Sequence, residues 1–106
     1  MRWVVTFLPE AATEFEVLPA EMRARFGRIA MLIEAKGLEQ LRAPHVKHLD
    51  GRLWEIRMHG RQGISRAIYV TASGRRVVVV RVFVKKTEKT PRQELEVARR
   101  RALEVT

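Results

Sequence analysis

The sequence has no cysteine. That excludes disulfides, thiolate zinc sites and cysteine nucleophiles, and it fits a reducing compartment. No apolar run approaches the roughly 18 residues needed to cross a membrane. The opening stretch, Met1-Arg2-Trp3-Val4-Val5, lacks a signal-peptide layout and reads as a strand, so a soluble cytoplasmic protein is expected. No repeat, low-complexity tract or linker interrupts the 106 residues, so a single domain over residues 1–106 with one core is expected. G-x-S-x-G, Walker-loop and H-E-x-x-H patterns are absent. His45 and His48 have no third histidine or carboxylate at ligand spacing, so neither a metal nor a cofactor is expected. Acidic residues are scarce: 12 Asp+Glu against 21 Lys+Arg give a net charge of +9, with 16 of the cations arginine. Such a field attracts polyanions, and nucleic acid or an acidic protein segment are the leading partners. Arginine adds planar two-pronged contacts with phosphate and stacks on bases.

The apolar pattern is well ordered. Trp3 to Phe7 is β-rich and short. Pro9 suits the first turn of a helix running to about Leu18. Met22, Phe26, Ile29, Ala30 and Ile33 then mark one face of a second helix ending near Gly37, with Arg23, Arg25 and Arg28 on its solvated side. Leu41 to Gly51 reads as a connector. Leu53 to His59 alternates with period two, so Trp54, Ile56 and Met58 point to one face and Glu55, Arg57 and His59 to the other. Gly60 to Gly63 forms a hairpin loop, Ile64 to Thr71 a strand, Ala72 to Gly74 a second turn, and Arg75 to Val84 the most central strand. Thr90 suits a helix cap, Pro91 a first helical position, and Arg92 to about Leu103 a charged last helix. The expected fold is α+β: a twisted antiparallel sheet of about four strands in the order β-α-α-β-β-β-α. Its helices pack on one face, over Trp54, Ile56 and Met58, and the other face stays partly open.

Cations recur where the pattern calls for apolar residues. Arg57 lies on the polar side of its strand, while Arg66 and Arg81 interrupt the next two. A charge is seldom buried unpaired, so each calls for a carboxylate such as Glu55, for solvent, or for a ligand. Lys85 and Lys86 close the last strand, and Lys89 follows. Together these residues point to a phosphate-binding surface. Such a surface can support RNA cleavage, because the ribose 2′-hydroxyl supplies the nucleophile. The protein must align it, balance the added negative charge and move protons. His45, His48, His59 or a lysine among cations are the candidates for proton transfer. Tyr69 reads as a core residue.

Three stretches carry a family resemblance: Lys47-His48-Leu49-Asp50-Gly51-Arg52-Leu53-Trp54-Glu55-Ile56-Arg57, then Arg66-Ala67-Ile68-Tyr69-Val70, then Phe83-Val84-Lys85-Lys86-Thr87-Glu88-Lys89-Thr90-Pro91. At these distances they resemble the RelE superfamily, and most closely its HigB branch, including the phage-derived toxin-like proteins. The resemblance extends from the first strand to Ala98. It implies the toxin of a type II toxin–antitoxin pair: a metal-independent endoribonuclease that enters the ribosomal A site, cuts mRNA and halts translation. It implies a helix-turn-helix antitoxin, HigA-like, as partner. Carried over by position, Arg57 and Arg66 match the strand-borne basic residues that hold the scissile phosphate, Lys85 and Lys86 the region after the last strand, and Lys47 and His48 a connector that contacts RNA or carries a general base. On that basis Lys85 or Lys86 is expected to balance the transition state and His48 to assist proton transfer. Lys47, Arg81 and Lys89 add RNA contacts. The aromatic or histidine that serves as acid in several relatives is replaced here by Lys85-Lys86. A ParE-like gyrase inhibitor and a catalytically inactive RNA-binding phage-derived protein are the alternative readings.

Overall fold

The computed structural model describes residues 2–41, 45–85 and 89–106. Strand β1 (Val4–Phe7) is followed by helices α1 (Pro9–Glu16) and α2 (Ala20–Lys36) and a short 3-10 turn (Leu38–Gln40). Strands β2 (Val46–Asp50), β3 (Leu53–Gly60), β4 (Gly63–Ala72) and β5 (Arg76–Lys85) come next, and helix α3 (Arg92–Ala102) closes the chain. The sheet has five strands in the order β1-β5-β4-β3-β2. Only the β1–β5 pairing is parallel among the described strands. No helix among the described residues is long and apolar enough to cross a membrane.

The α+β class is as expected, with two differences. The first is the fifth strand, β2, which forms in the stretch read as a connector. Its residues are mostly polar and carry little alternating signal. What makes them a strand is the tight turn after Asp50, where Gly51 has φ +55°, a conformation that suits glycine. That turn folds β2 back onto β3, pairing Val46 with Ile56 and His48 with Trp54. As an edge strand carrying lysine and histidine, β2 resists further pairing.

The second difference is that helices cover both faces. On one side α1 and α2 bury Ala11, Met22, Phe26 and Ile33 against Ile56, Met58, Ala67, Tyr69, Val77 and Val79. Phe7, Phe15 and Phe26 join β1, α1 and α2 there, with ring centroids 5.1–5.4 Å apart. On the other side α3 sets Ala98 and Ala102, and Val105 beyond it, against Leu53, Ile68, Val70, Val78 and Val80. The physical reason is in β5. Val77 to Val80 are apolar without alternation, so both faces there need cover. Arg52 fastens the end of α3, donating to the carbonyls of Ala102 and Val105 at 3.3 and 3.2 Å, where a cation also suits the helix dipole.

A bulge governs where the charges of β5 go. Tyr69 pairs with Val79 and Ile68 with Arg81, which leaves Val80 as an extra residue. The alternation therefore changes phase. Val77, Val79 and Val82 face α1 and α2, whereas Val78, Val80 and Phe83 face the α3 side. Without the bulge Arg81 would point into the α1–α2 core.

Candidate functional site

Residues opposite one another on antiparallel strands share a face. On the α3 side, one row across β3, β4 and β5 is Arg57, Arg66 and Phe83. The row before it is Glu55, Ile68 and Arg81, and the row after it His59, Ile64 and Lys85. Strand alternation thus sets Arg57, Arg66 and Lys85 on one face. Lys47 pairs with Glu55 and shares that face from the edge strand. Lys47, Lys85 and Lys89 are exposed. Lys86 lies outside the described residues.

The two arginines are set deep. Arg66 and Glu55 are 0% exposed and Arg57 is 9% exposed. Arg57 Nε donates to Glu55 Oε1 at 2.6 Å. The Thr90 hydroxyl donates to Glu55 Oε2 at 2.8 Å, and Arg66 Nη1 makes a longer 3.5 Å contact with Thr90 Oγ1. The Glu55 carboxylate therefore joins Arg57 to the Thr90 hydroxyl, which in turn reaches Arg66. Beside Arg57 opens a cleft of about 300 Å³, walled by Arg25 and Arg28 of α2 together with His45 and His59. None of the described residues lining it is acidic.

Two sequence candidates are placed elsewhere. His48 pairs with Trp54, on the α1–α2 side of the sheet, opposite the arginines. Its Nε2 donates to the Gly51 carbonyl at 2.8 Å, and its ring packs on Trp54 at 4.7 Å. Trp54 itself is 40% exposed rather than buried under the helices. Arg81 is held in an ion-pair network at the β5 edge. Its Nε donates to Glu94 at 2.6 Å and its Nη1 to Glu14. Glu14 also accepts from Arg101 at 2.9 Å and from the Val82 backbone N–H at 3.0 Å. Burial pushes the Glu14 carboxyl up, but the bonds from Arg101 and Val82 and the charges of Arg81 and Arg101 outweigh it and hold it below the usual carboxylate range. Bonding to Glu94 holds Arg81 still more firmly protonated. Tyr69 is buried on the α1–α2 side, which pushes its hydroxyl up to about 12, and it stays neutral.

Thr90 is the residue whose part in the cluster the sequence conceals. It reads as the cap of α3, yet α3 begins after Pro91 and no side chain caps it. The signal was Pro91 itself: a residue before proline is pushed to an extended conformation, which sets Thr90 outside the helix.

The fold, a five-stranded sheet in the order β1-β5-β4-β3-β2 with three helices, is shared with solved RelE toxins. The E. coli RelE toxin in a free mutant form superposes with a TM-score of 0.68 over 95% of this chain and 98% of that one, at 17% identity. The toxin–antitoxin complex RelBE2 from Mycobacterium tuberculosis gives 0.58 over 80% of this chain and all of that chain, at 19% identity. The archaeal RelE–RelB complex from Pyrococcus horikoshii gives 0.59 over 84% of this chain and all of that chain, at 17% identity. Residues 13–103 match the family described as phage derived protein Gp49-like, and the chain belongs to that family. No curated protein matches the sequence.

Proposed function

We propose that this chain is the toxin of a type II toxin–antitoxin pair, of the HigB-like kind, and that it cuts mRNA in the ribosomal A site without a metal. The observation that carries the reading is the gathering of Arg57, Arg66 and Lys85 on one end of one sheet face. RNA cleavage of this kind needs no protein nucleophile: the 2′-hydroxyl attacks in line, a pentacoordinate phosphate gathers negative charge, and the 5′-oxygen leaves with a proton. Arg57 meets the phosphate. Arg66, buried behind the surface, acts through its charge, which the low local dielectric strengthens. Lys85 and Lys86 balance the transition state, and Lys47 and Lys89 hold flanking phosphates. His59 shares the face of Arg57 and the row of Lys85, so proton transfer falls to it rather than to His48. The complexes from M. tuberculosis and P. horikoshii support an antitoxin as partner, here a helix-turn-helix protein of HigA type.

The test is expression from a tightly repressed promoter, with mRNA 5′ ends mapped in the arrested cells. New ends inside translated codons, lost in a folded Lys85→Ala/Lys86→Ala variant, are expected. Growth arrest with intact mRNA would turn the reading to a gyrase inhibitor. No arrest at all would leave an RNA-binding protein.

A further inference from the structure

The buried polar cluster joins side chains from three separate parts of the chain. Glu55 and Arg57 are neighbours on one face of β3, Arg66 comes from β4, and Thr90 from the segment entering α3. Both oxygens of Glu55 are engaged, Oε1 by Arg57 at 2.6 Å and Oε2 by the Thr90 hydroxyl at 2.8 Å. With 0% exposure and no free oxygen, Glu55 is badly placed to take a proton from a substrate. Stability does not call for it either: apolar side chains of similar volume commonly serve a core as well as a buried ion pair does. What the arrangement supplies is geometry. An arginine side chain has several rotatable bonds, and holding its guanidinium in one orientation before the ligand arrives removes that ordering cost from the binding and reaction steps.

We propose that Glu55 and Thr90 are positioning residues, which lock the guanidinium planes of Arg57 and Arg66 and tie them to the start of α3. The proposal rests on the reading of Arg57 as the residue that meets the phosphate and of Arg66 as the charge behind it. Thr90 is the joint. It is 8% exposed, makes no cap bond to its own helix, and its one hydroxyl serves the carboxylate on one side and Arg66 on the other. A shift of α3 therefore reaches both arginines through a single oxygen.

Thr90→Val keeps the shape and removes the hydroxyl, and Thr90→Ser restores the hydroxyl. Two readouts are taken on each: the kinetics of cleavage on ribosomes programmed with a defined mRNA, and the Nε–Hε NMR signal of Arg57 with its exchange rate with water. For Thr90→Val, kcat falls at least about tenfold, as loss of a hydrogen bond to a charged group implies. KM changes less, thermal stability falls only by the amount one lost buried hydrogen bond implies, and the Arg57 Hε exchanges faster. Thr90→Ser recovers both kcat and the slow exchange. Wild-type kcat and exchange in Thr90→Val would overturn the proposal. So would a Thr90→Val protein that fails to fold while Thr90→Ser folds, because the hydroxyl would then serve stability alone. If the wild type cleaves nothing, the functional reading falls, and the Arg57 signal still decides the positioning: faster exchange in Thr90→Val, restored in Thr90→Ser, upholds it, and unchanged exchange rejects it.

Discussion

Glu14 illustrates how much one side chain can carry in a small domain. It leaves α1 at the place where β1 has ended, and its Oε1 takes the Val82 N–H that a longer β1 would have bonded. The same carboxylate receives Arg81 and Arg101, so it joins α1, β5 and α3. Its folded-state pKa is below the ordinary 4.5. The sign follows directly. A depressed carboxyl stabilises the fold above its unfolded pKa, and that contribution is lost as the pH falls through the lower, folded value. Wild-type melting temperature should therefore drop as the pH falls from about 5 into the acid range. A Glu14→Gln variant should start lower at neutral pH and show a flatter acid limb, with thermal melts from neutral to strongly acidic pH as the check. Arg81 gives the complementary expectation. Arg81→Met leaves Glu94 and Glu14 short of a partner in a partly buried place and should cost about 2 kcal/mol in urea unfolding, in the range for loss of one member of such a pair. A change near zero would instead fit an arginine held ready for RNA.

Elements differ in how openly the sequence displays them, and the reasons are physical. Helix α2 was legible because Met22, Phe26, Ile29, Ala30 and Ile33 fall on one stripe, and three of them, Met22, Phe26 and Ile33, are fully buried. Strand β3 was legible from alternation, and β4 and β5 from apolar runs bounded by hairpin turns. Strand β2 was not, because partner strand and turn make it rather than its own composition, and the register of His48 could not be known without it. That is why His48 could be placed beside the arginines in sequence and yet face away from them in the fold. Helix α3 shows an apolar stripe of Leu95, Ala98 and Ala102, but a stripe does not say which side of a sheet it will cover. The Val80 bulge, which turns Arg81 out of the core, has no signature at all in a run of valines. Two expectations belong at this scale. Phe26→Ala removes the ring that α2 contributes to the contact with β1 and α1, and should cost about 3–5 kcal/mol, the range for truncating a buried aromatic, measured by urea unfolding. If the faces of the sheet decide the chemistry, His59→Ala should slow cleavage by about 10²-fold or more, as loss of a proton-transfer group implies. His48→Ala should leave cleavage within a few-fold of wild type. The reverse outcome would move the reacting phosphate to the edge of β2.

For the whole molecule, a net charge of +9 on 106 residues raises the question of which cations do chemistry and which only bring the protein to RNA. The cations sit in two arrangements. Arg57 and Arg66 are sunk beside a carboxylate, whereas Arg25 and Arg28 stand exposed on α2 at the mouth of the cleft. Exposed cations act mainly through counterion release, which makes log K fall linearly with log salt by about 0.7 per phosphate neutralised on single-stranded RNA. If Arg25 and Arg28 each meet one phosphate, an Arg25→Ala/Arg28→Ala variant should flatten that slope by about 1.4. It should also raise KM at physiological salt and leave kcat close to wild type. Arg57→Gln should do the opposite, removing little of the slope and most of kcat, because its guanidinium is worth more to the transition state than to the encounter. Measuring RNA affinity and ribosome-dependent cleavage for both variants across a salt series separates the two roles. If Arg25→Ala/Arg28→Ala lowered kcat as deeply as Arg57→Gln, the reacting phosphate would have to lie against α2, and the sheet face of Arg57, Arg66 and Lys85 would be only its flank.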